Sequence, residues 1–327
     1  MTRSLRVVVA LMLGACSSKP AQPAQPAQPT AVGSPNRMYS EAADYEQFMG
    51  RWSRQLVPQL LAFSGLHDGD AVLDVGSGTG SLSFAVRDTT KASHVTGIDP
   101  SPDFVKYSSS KNTDPRVHFE LGDAQKLTLP DATFDKTIAM LVINHVPDSA
   151  LALKEMIRVT KPGGIVAAAV WDYGDGMTMM HVVWVEAEAL NLPIDPKDKA
   201  HAKLSKQGEL TALWKQQGLV DVQEVPLTTE LRFASFDDYW SPFLLGQGSA
   251  GAYVSKLSRE DQDALRERLR KRLLGDGPDH PIAMPVRAWA VKGTVTRSKS
   301  QPLPEALDRR RALDHRACDR SPRARHA

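Results

Sequence analysis

Cysteine is nearly absent from this chain. Its 327 residues hold only Cys16 and Cys318, one near each end, so neither a disulfide framework nor a cysteine-based zinc site is available, and no metal site is expected. Net charge is just as scarce: Lys and Arg total 40 against 38 Asp and Glu, a formal +2. Without a broad basic surplus, a nucleic-acid partner is not expected. Long apolar runs are missing too, and none reaches the roughly 18 residues that read as a membrane-spanning helix. The length admits one α/β domain with insertions and tails, or two small domains. Packing has to supply the core.

What is present is concentrated first in Ala71-Val72-Leu73-Asp74-Val75-Gly76-Ser77-Gly78-Thr79-Gly80. The aliphatic run fits a strand covered on both faces. Gly76 permits a tight turn, Gly78 lets backbone N–H groups approach a ligand, and Gly80 allows the following helix to sit close to the strand. The dinucleotide fingerprint wants G-x-G-x-x-G; here the third glycine comes one position early and Ser81 takes its place, which disfavours a pyrophosphate loop. A carboxylate at the strand end, Asp74, suits a ligand carrying an ammonium and a sulfonium better than one carrying a phosphate. This stretch resembles the first motif of class I S-adenosylmethionine-dependent methyltransferases.

Later segments follow the same series. Residues 94–99 read as a second strand ending in Asp99, and an acidic residue about twenty positions past the glycines suits both ribose hydroxyls as an acceptor. Asp99-Pro100-Ser101 resembles the second methyltransferase motif. A third strand, 117–121, precedes Gly122-Asp123-Ala124-Gln125. The resemblance places that turn against adenine, with the Asp123 carboxylate accepting from the amino group and Ala124 N–H facing a ring nitrogen, while the residues alone also allow an Asx turn. Gln125 and Asn144 are expected among the cofactor-binding residues on the same basis, with Gly76, Ser77, Gly78 and Gly80. The passage 127–135 leads into a fourth strand at 136–142, after which come Asn144 and His145. His145 has the pKa range of a general base, but a structural or cofactor-facing role ranks above catalysis. A helix over 149–159, the Arg158 to Gly164 "RxxKPGG" passage and a fifth strand at 165–170 complete the pattern. The expected fold is α/β: a doubly wound, mostly parallel seven-stranded sheet, Rossmann-like, with helical cap and lid insertions.

Upstream, residues 39–65 show a helical pattern with Pro58 as a kink or break, and Tyr39, Tyr45 and Arg51 are the side chains expected to close over the carboxylate end of the cofactor. Downstream, 210–217 reads as a helix, 219–225 and 286–296 as strands, and Trp184, Tyr239, Trp240 and Phe243 as contributors to a substrate lid. The extreme N-terminus is different. Arg3 and Arg6, an apolar stretch over 7–13 and Gly14-Ala15-Cys16 have the layout of a secretory signal, and Leu13-Gly14-Ala15-Cys16 resembles a bacterial lipobox, which implies lipidation of Cys16. Residues 1–16 are then a signal peptide. Residues 17–37, rich in Pro, Ala and Gln, form a tether, residues 38–296 the methyltransferase domain, with its cofactor core at about 66–172 and substrate cap at about 173–285, and the basic segment 297–327 a disordered tail.

The expected activity is transfer of a methyl group from S-adenosyl-L-methionine to an O, N or C nucleophile of a small molecule. Rival readings are a catalytically silent ligand-binding lipoprotein on the same fold and an NAD-dependent oxidoreductase. The leader implies membrane anchoring through Cys16. The alternative is a cytoplasmic product whose translation starts at Met38.

Overall fold

The computed structural model describes residues 42–92, 94–195, 203–246 and 248–296. Cys16, the 17–37 tether, Tyr39 and the 297–327 tail lie outside the described residues. Among the described residues no helix is long and apolar enough to cross a membrane.

The described chain starts with α1 (Ala42–Tyr45), widens into a π-helical turn at Glu46–Gly50 and continues as α2 (Arg51–Ser64). Pro58 lies inside α2 without ending it. The helix ends instead at Gly65, whose φ of 65° suits a residue without a Cβ. Then come β1 (Ala71–Val75), α3 (Ser81–Thr89), β2 (His94–Asp99), α4 (Pro102–Lys111), β3 (Val117–Leu121), β4 (Phe134–Met140), α5 (Ser149–Val159) and β5 (Thr160–Trp171). The second half contains α6 (Thr178–Ala189), α7 (Glu209–Gln216), β6 (Val220–Phe233), α8 (Phe236–Leu244), α9 (Gly248–Val254), α10 (Arg259–Leu274) and β7 (Ile282–Thr294).

All seven strands join one sheet in the order β3-β2-β1-β4-β5-β7-β6. β1 to β5 are parallel, and β7 runs antiparallel to both β5 and β6. The fold is therefore the doubly wound, mostly parallel sheet that the alternating pattern predicts. Its order reverses between β1 and β4, and in such sheets ligands settle outside the carboxyl ends of the strands at that reversal. Every residue of β1 is buried. Val72 packs with α2 and α6 on one face, Leu73 and Val75 with α5 and α7 on the other.

Several boundaries shift from the sequence reading, and two carry a physical reason. The Lys161-Pro-Gly-Gly segment does not precede the fifth strand but lies within it, because Thr160 pairs with Phe134 and Ile165 with Lys136, leaving the extra residues as a bulge. Arg158, just ahead of it, donates to the carbonyls of Leu127 and Leu129 at 2.9 Å each and so fixes the approach to β4. β6 extends eight residues beyond the expected end, through Pro226 and the polar Thr228-Thr229-Glu230. An edge strand tolerates proline and a wet face.

The expected lid is corrected more substantially. Tyr239 and Phe243 have no exposed surface, Trp240 is 3% exposed, and the Tyr239 hydroxyl donates to Met179 O at 2.9 Å. These rings are the core that joins α8 to α6 and β6, because a cluster with four aromatics in eight positions of one helix buries more by packing inward than by facing a ligand. Trp184 alone is half-buried, against Tyr253 at 4.9 Å between centroids. Tyr239→Ala should therefore cost about 3–5 kcal/mol of stability, read as a fall in the denaturant midpoint. A lid residue would leave that midpoint in place.

Candidate functional site

At the carboxyl end of β1 the chain turns sharply. Gly76 N–H and Ser77 N–H both donate to Ile98 O at 2.8 Å, which ties the turn to β2. The glycines have different reasons to be glycine. A Cβ on Gly76 (φ 71°) would lie 2.5 Å from both γ-carbons of Val142, and one on Gly80 (φ 88°) 2.7 Å from Phe84 and 3.0 Å from Phe119. Gly78 (φ 52°) has nothing within 4 Å of the equivalent point. Gly76 and Gly80 are closed in by protein. Gly78 faces open space.

Asp74 is 1% exposed and its Oδ2 accepts from Ser83 N at 3.1 Å and Ser83 Oγ at 2.7 Å, across the first turn of α3. Burial pushes its pKa up to about 7, the Ser83 bonds oppose the rise, and the Asp99 carboxylate adds to it. Asp99, at the end of β2, accepts from Gly78 N and from Ser101 N, each at 2.9 Å. Its pKa is raised by burial against those two bonds. It thus holds the open part of the loop in shape, with lone pairs remaining for a further donor. Pro100 is exposed, and Ser101 caps α4 through Phe104 N–H.

The third-strand turn takes the Asx form. Asp123 accepts from Gln125 N at 2.9 Å and from the Gln125 side chain, while Gln125 Oε1 accepts from Asp148 N at 2.9 Å. Gln125 therefore braces this turn against the start of α5, with Ala124 buried beneath it. Beyond β4, Leu141 adopts a left-handed φ of 62° and Asn144 is 5% exposed. Asn144 Nδ2 lies 3.3 Å from His145 Nε2, and its Oδ1 is buried without a partner among the described residues. Ser77 Oγ is likewise buried and unpartnered. His145 is exposed, yet the surrounding protein and the Lys203 ammonium both push its pKa below the ordinary value. It is neutral at pH 7.

Arg51 is not brought to this loop. Its guanidinium grips both oxygens of Asp238, at 3.3 and 3.1 Å, and lies 4.5 Å above the Trp52 ring. Charge pairing at the start of α8 competes successfully for it. Tyr45, by contrast, packs edge-on against Phe104 at 5.7 Å, with its hydroxyl 3.5 Å from Ser53 Oγ. The residue that sequence reasoning missed is Glu46, which opens the π turn and accepts from Thr79 Oγ of the glycine loop and from Arg54. Its only signal was Gly50, where a Cβ would strike the Glu46 carboxylate at 2.7 Å. On the helical side of the loop, a cavity of about 460 Å³ is lined by Glu46, Arg54, Phe84, Arg87, Tyr107 and Lys111. Arg54 there pairs with Glu46, and Arg87 with Asp88.

Residues 66–218, just under half of the chain, match the sequence profile of a methyltransferase domain. Over 128 residues the chain is 33% identical to the malonyl-[acyl-carrier protein] O-methyltransferase of Serratia marcescens, a stretch that is 39% of this chain and 49% of that protein. Over 111 residues it is 39% identical to the 2-methyl-6-phytyl-1,4-hydroquinone methyltransferase of Synechocystis sp., covering 34% of this chain and 35% of that one. The matches thus span half or less of these curated relatives. Among solved structures, the YcgJ protein of Bacillus subtilis superposes with a TM-score of 0.50 at 19% identity, covering 75% of this chain and 99% of that chain, and shows the same fold.

Residues 66–218 are thus similar to a methyltransferase domain, and S-adenosylmethionine is the cofactor against which this site can be tested. The residues present fit it. Gly78 leaves room for a ligand against the backbone, Ser77 Oγ and Asn144 Oδ1 are buried polar atoms with no protein partner, and Asp74 offers a carboxylate at the end of β1. Buried polar groups are rarely left unsatisfied in a folded protein.

Proposed function

We propose that this chain transfers a methyl group from S-adenosylmethionine to an O, N or C nucleophile of a small molecule. The observation that carries the reading is the division of labour among the glycines: two are locked by protein contacts while the middle one faces open space, in a site that also has two buried polar atoms, Ser77 Oγ and Asn144 Oδ1, without partners among the described residues. Asp74, Ser77, Gly78 and Asn144 are the residues assigned to the cofactor, with Asp99 as the ribose acceptor, the Asp123–Gln125 turn against adenine and Tyr45 over the carboxylate end. The bound cofactor supplies a methyl carbon already activated by the sulfonium charge. The chain's task is alignment, which is worth on the order of 7–11 kcal/mol when reactants are held in near-attack geometry.

The two curated relatives named above act, by their names, on a malonyl-carrier protein and on a hydroquinone. Their difference leaves the acceptor to experiment. Incubating the full chain with methyl-labelled cofactor and a set of quinols, phenols and amines is expected to label one of these classes. Binding of the cofactor with no labelled product from any acceptor would favour a silent binding protein.

His145 is assigned to the wall of the site rather than to proton removal, because a ring held neutral with a depressed pKa is a weak base. At saturating cofactor, kcat should stay level from pH 8 to pH 6, and His145→Gln should lower it less than about tenfold. A general base would contribute about 10²–10⁴-fold and add a pH limb that the variant removes.

The leader is read as a lipidated anchor. Labelled fatty acid is expected at Cys16 in cells that express the full chain, and an unlabelled product starting at Met38 would contradict the anchor.

A further inference from the structure

Resting on the methyl-transfer reading, we propose that the acceptor is an electrically neutral, largely apolar molecule with a hydroxyl oxygen, seated over the carboxyl ends of β4 and β5 on the face covered by α2 and α6, and that Trp171 Nε1 donates to that oxygen. The half-buried side chains packed against the core of this face include Met49 from the π turn, Leu141 past β4, Tyr173 past β5, and Met180 and Trp184 from α6. None carries a charge. Two are methionines, whose unbranched thioethers adapt to an apolar ligand's outline.

Most of the charged groups near this face are already paired within the protein. Asp172, directly after β5, accepts from Arg287 Nε at 2.8 Å and from Gly174 N at 3.0 Å. Glu186 on α6 accepts from Arg268 at 2.6 Å and Arg272 at 2.7 Å. Arg51 is held by Asp238, and Glu46 by Arg54 and Thr79. Lys203 donates to the carbonyls of Val146 and Pro147, and Asp175 is exposed to solvent. A charged acceptor would have to leave water for a face where most carboxylates and guanidiniums are already engaged with one another, which is unfavourable.

What the same face does leave unmatched is a neutral donor. Trp171 closes β5, is 3% exposed and packs with α2 and α6, yet its Nε1 has no partner among the described residues. A buried indole N–H normally finds one. A ligand oxygen above the strand end would satisfy it. The left-handed φ of 62° at Leu141, whose N–H still donates to Ala169 O at 2.8 Å, marks the adjoining strand end as a place where the fold sustains backbone strain.

The test uses the full chain loaded with S-adenosylhomocysteine and probes of equal apolar size. 4-Butylphenol is expected to bind at least about tenfold more tightly than 4-butylbenzoate or 4-butylbenzylamine, and about tenfold more tightly than butylbenzene, the size of step that one satisfied hydrogen bond gives. Trp171→Phe should abolish the phenol-over-butylbenzene preference while leaving the S-adenosylhomocysteine affinity unchanged. Met180→Ala, a milder change to the rim, should weaken 4-butylphenol and butylbenzene alike. A charged probe that binds as well as the phenol, or a preference that survives Trp171→Phe, overturns the proposal while cofactor binding persists. Failure of S-adenosylhomocysteine itself to bind overturns the methyl-transfer reading and this proposal with it.

Discussion

Gly78→Ala is expected to leave the protein folded and to weaken S-adenosylmethionine binding by about tenfold to a hundredfold, whereas Gly76→Ala is expected to damage the fold itself. Both positions have left-handed φ, 52° and 71°, so each alanine pays about 1–2 kcal/mol for its backbone. They differ in what the methyl meets. At Gly78 there is nothing within 4 Å, so the methyl projects into the space assigned to the ligand. Displacing a closely held ligand costs about 1–3 kcal/mol, hence the stated loss of affinity. At Gly76 the methyl would lie 2.5 Å from both γ-carbons of Val142, and overpacking adds a further 1–3 kcal/mol or so to the backbone cost. Thermal unfolding should show a small shift for Gly78→Ala and a large one for Gly76→Ala, with Val142→Ala recovering part of the latter. Equal destabilisation by the two alanines, or unchanged affinity in Gly78→Ala, would mean that the loop closes on protein alone.

The second large effect is a proton. In the free protein Asp74 is raised from 3.8 to about 7, so between those values the folded carboxyl holds a proton that the unfolded chain has lost. Its contribution to stability is present below about pH 4, falls as pH rises toward 7 and is level above. An ammonium or sulfonium bound beside it reverses the preference by favouring the carboxylate. Cofactor affinity should consequently rise with pH from about 5 to 7, by up to about tenfold per unit, with close to one proton released on binding near pH 6. Calorimetry in two buffers of different ionisation enthalpy counts that proton. Asp74→Asn keeps an acceptor for Ser83 but has no proton to lose, so it should bind at least about tenfold more weakly with no release. Equal proton counts in the two proteins would assign Asp74 to the α3 turn alone.

How far the sequence could be read depended on whether a residue's environment is local. The limits of β2 and β3 and the roles of Gly76 and Gly80 were legible because short aliphatic runs and closely spaced glycines have few alternative structures. The two acidic strand ends were located correctly, at Asp74 and Asp99, but not their bonds. Ser83 lies nine residues past Asp74, and the N–H that Asp99 accepts from belongs to the glycine loop itself. Distant partners accounted for the larger departures. Arg51 answers to Asp238, far along the chain, and Tyr239 reaches back to Met179, so neither pairing leaves a trace in local periodicity. The outer part of β6 failed for another reason. Its proline and polar run look like a loop until the sheet order shows that it is an edge. The π turn was hidden because Glu46 and Gly50 matter to each other only once the helix has widened.

Calorimetric titration of the full chain at pH 7.5 tests directly whether the turn from Gly76 to Gly80 holds S-adenosylmethionine rather than a dinucleotide. Saturable one-to-one heat is expected with S-adenosylmethionine and with S-adenosylhomocysteine, and none with NAD⁺ at the same concentration. Heat with NAD⁺ and none with either sulfur ligand would contradict the account.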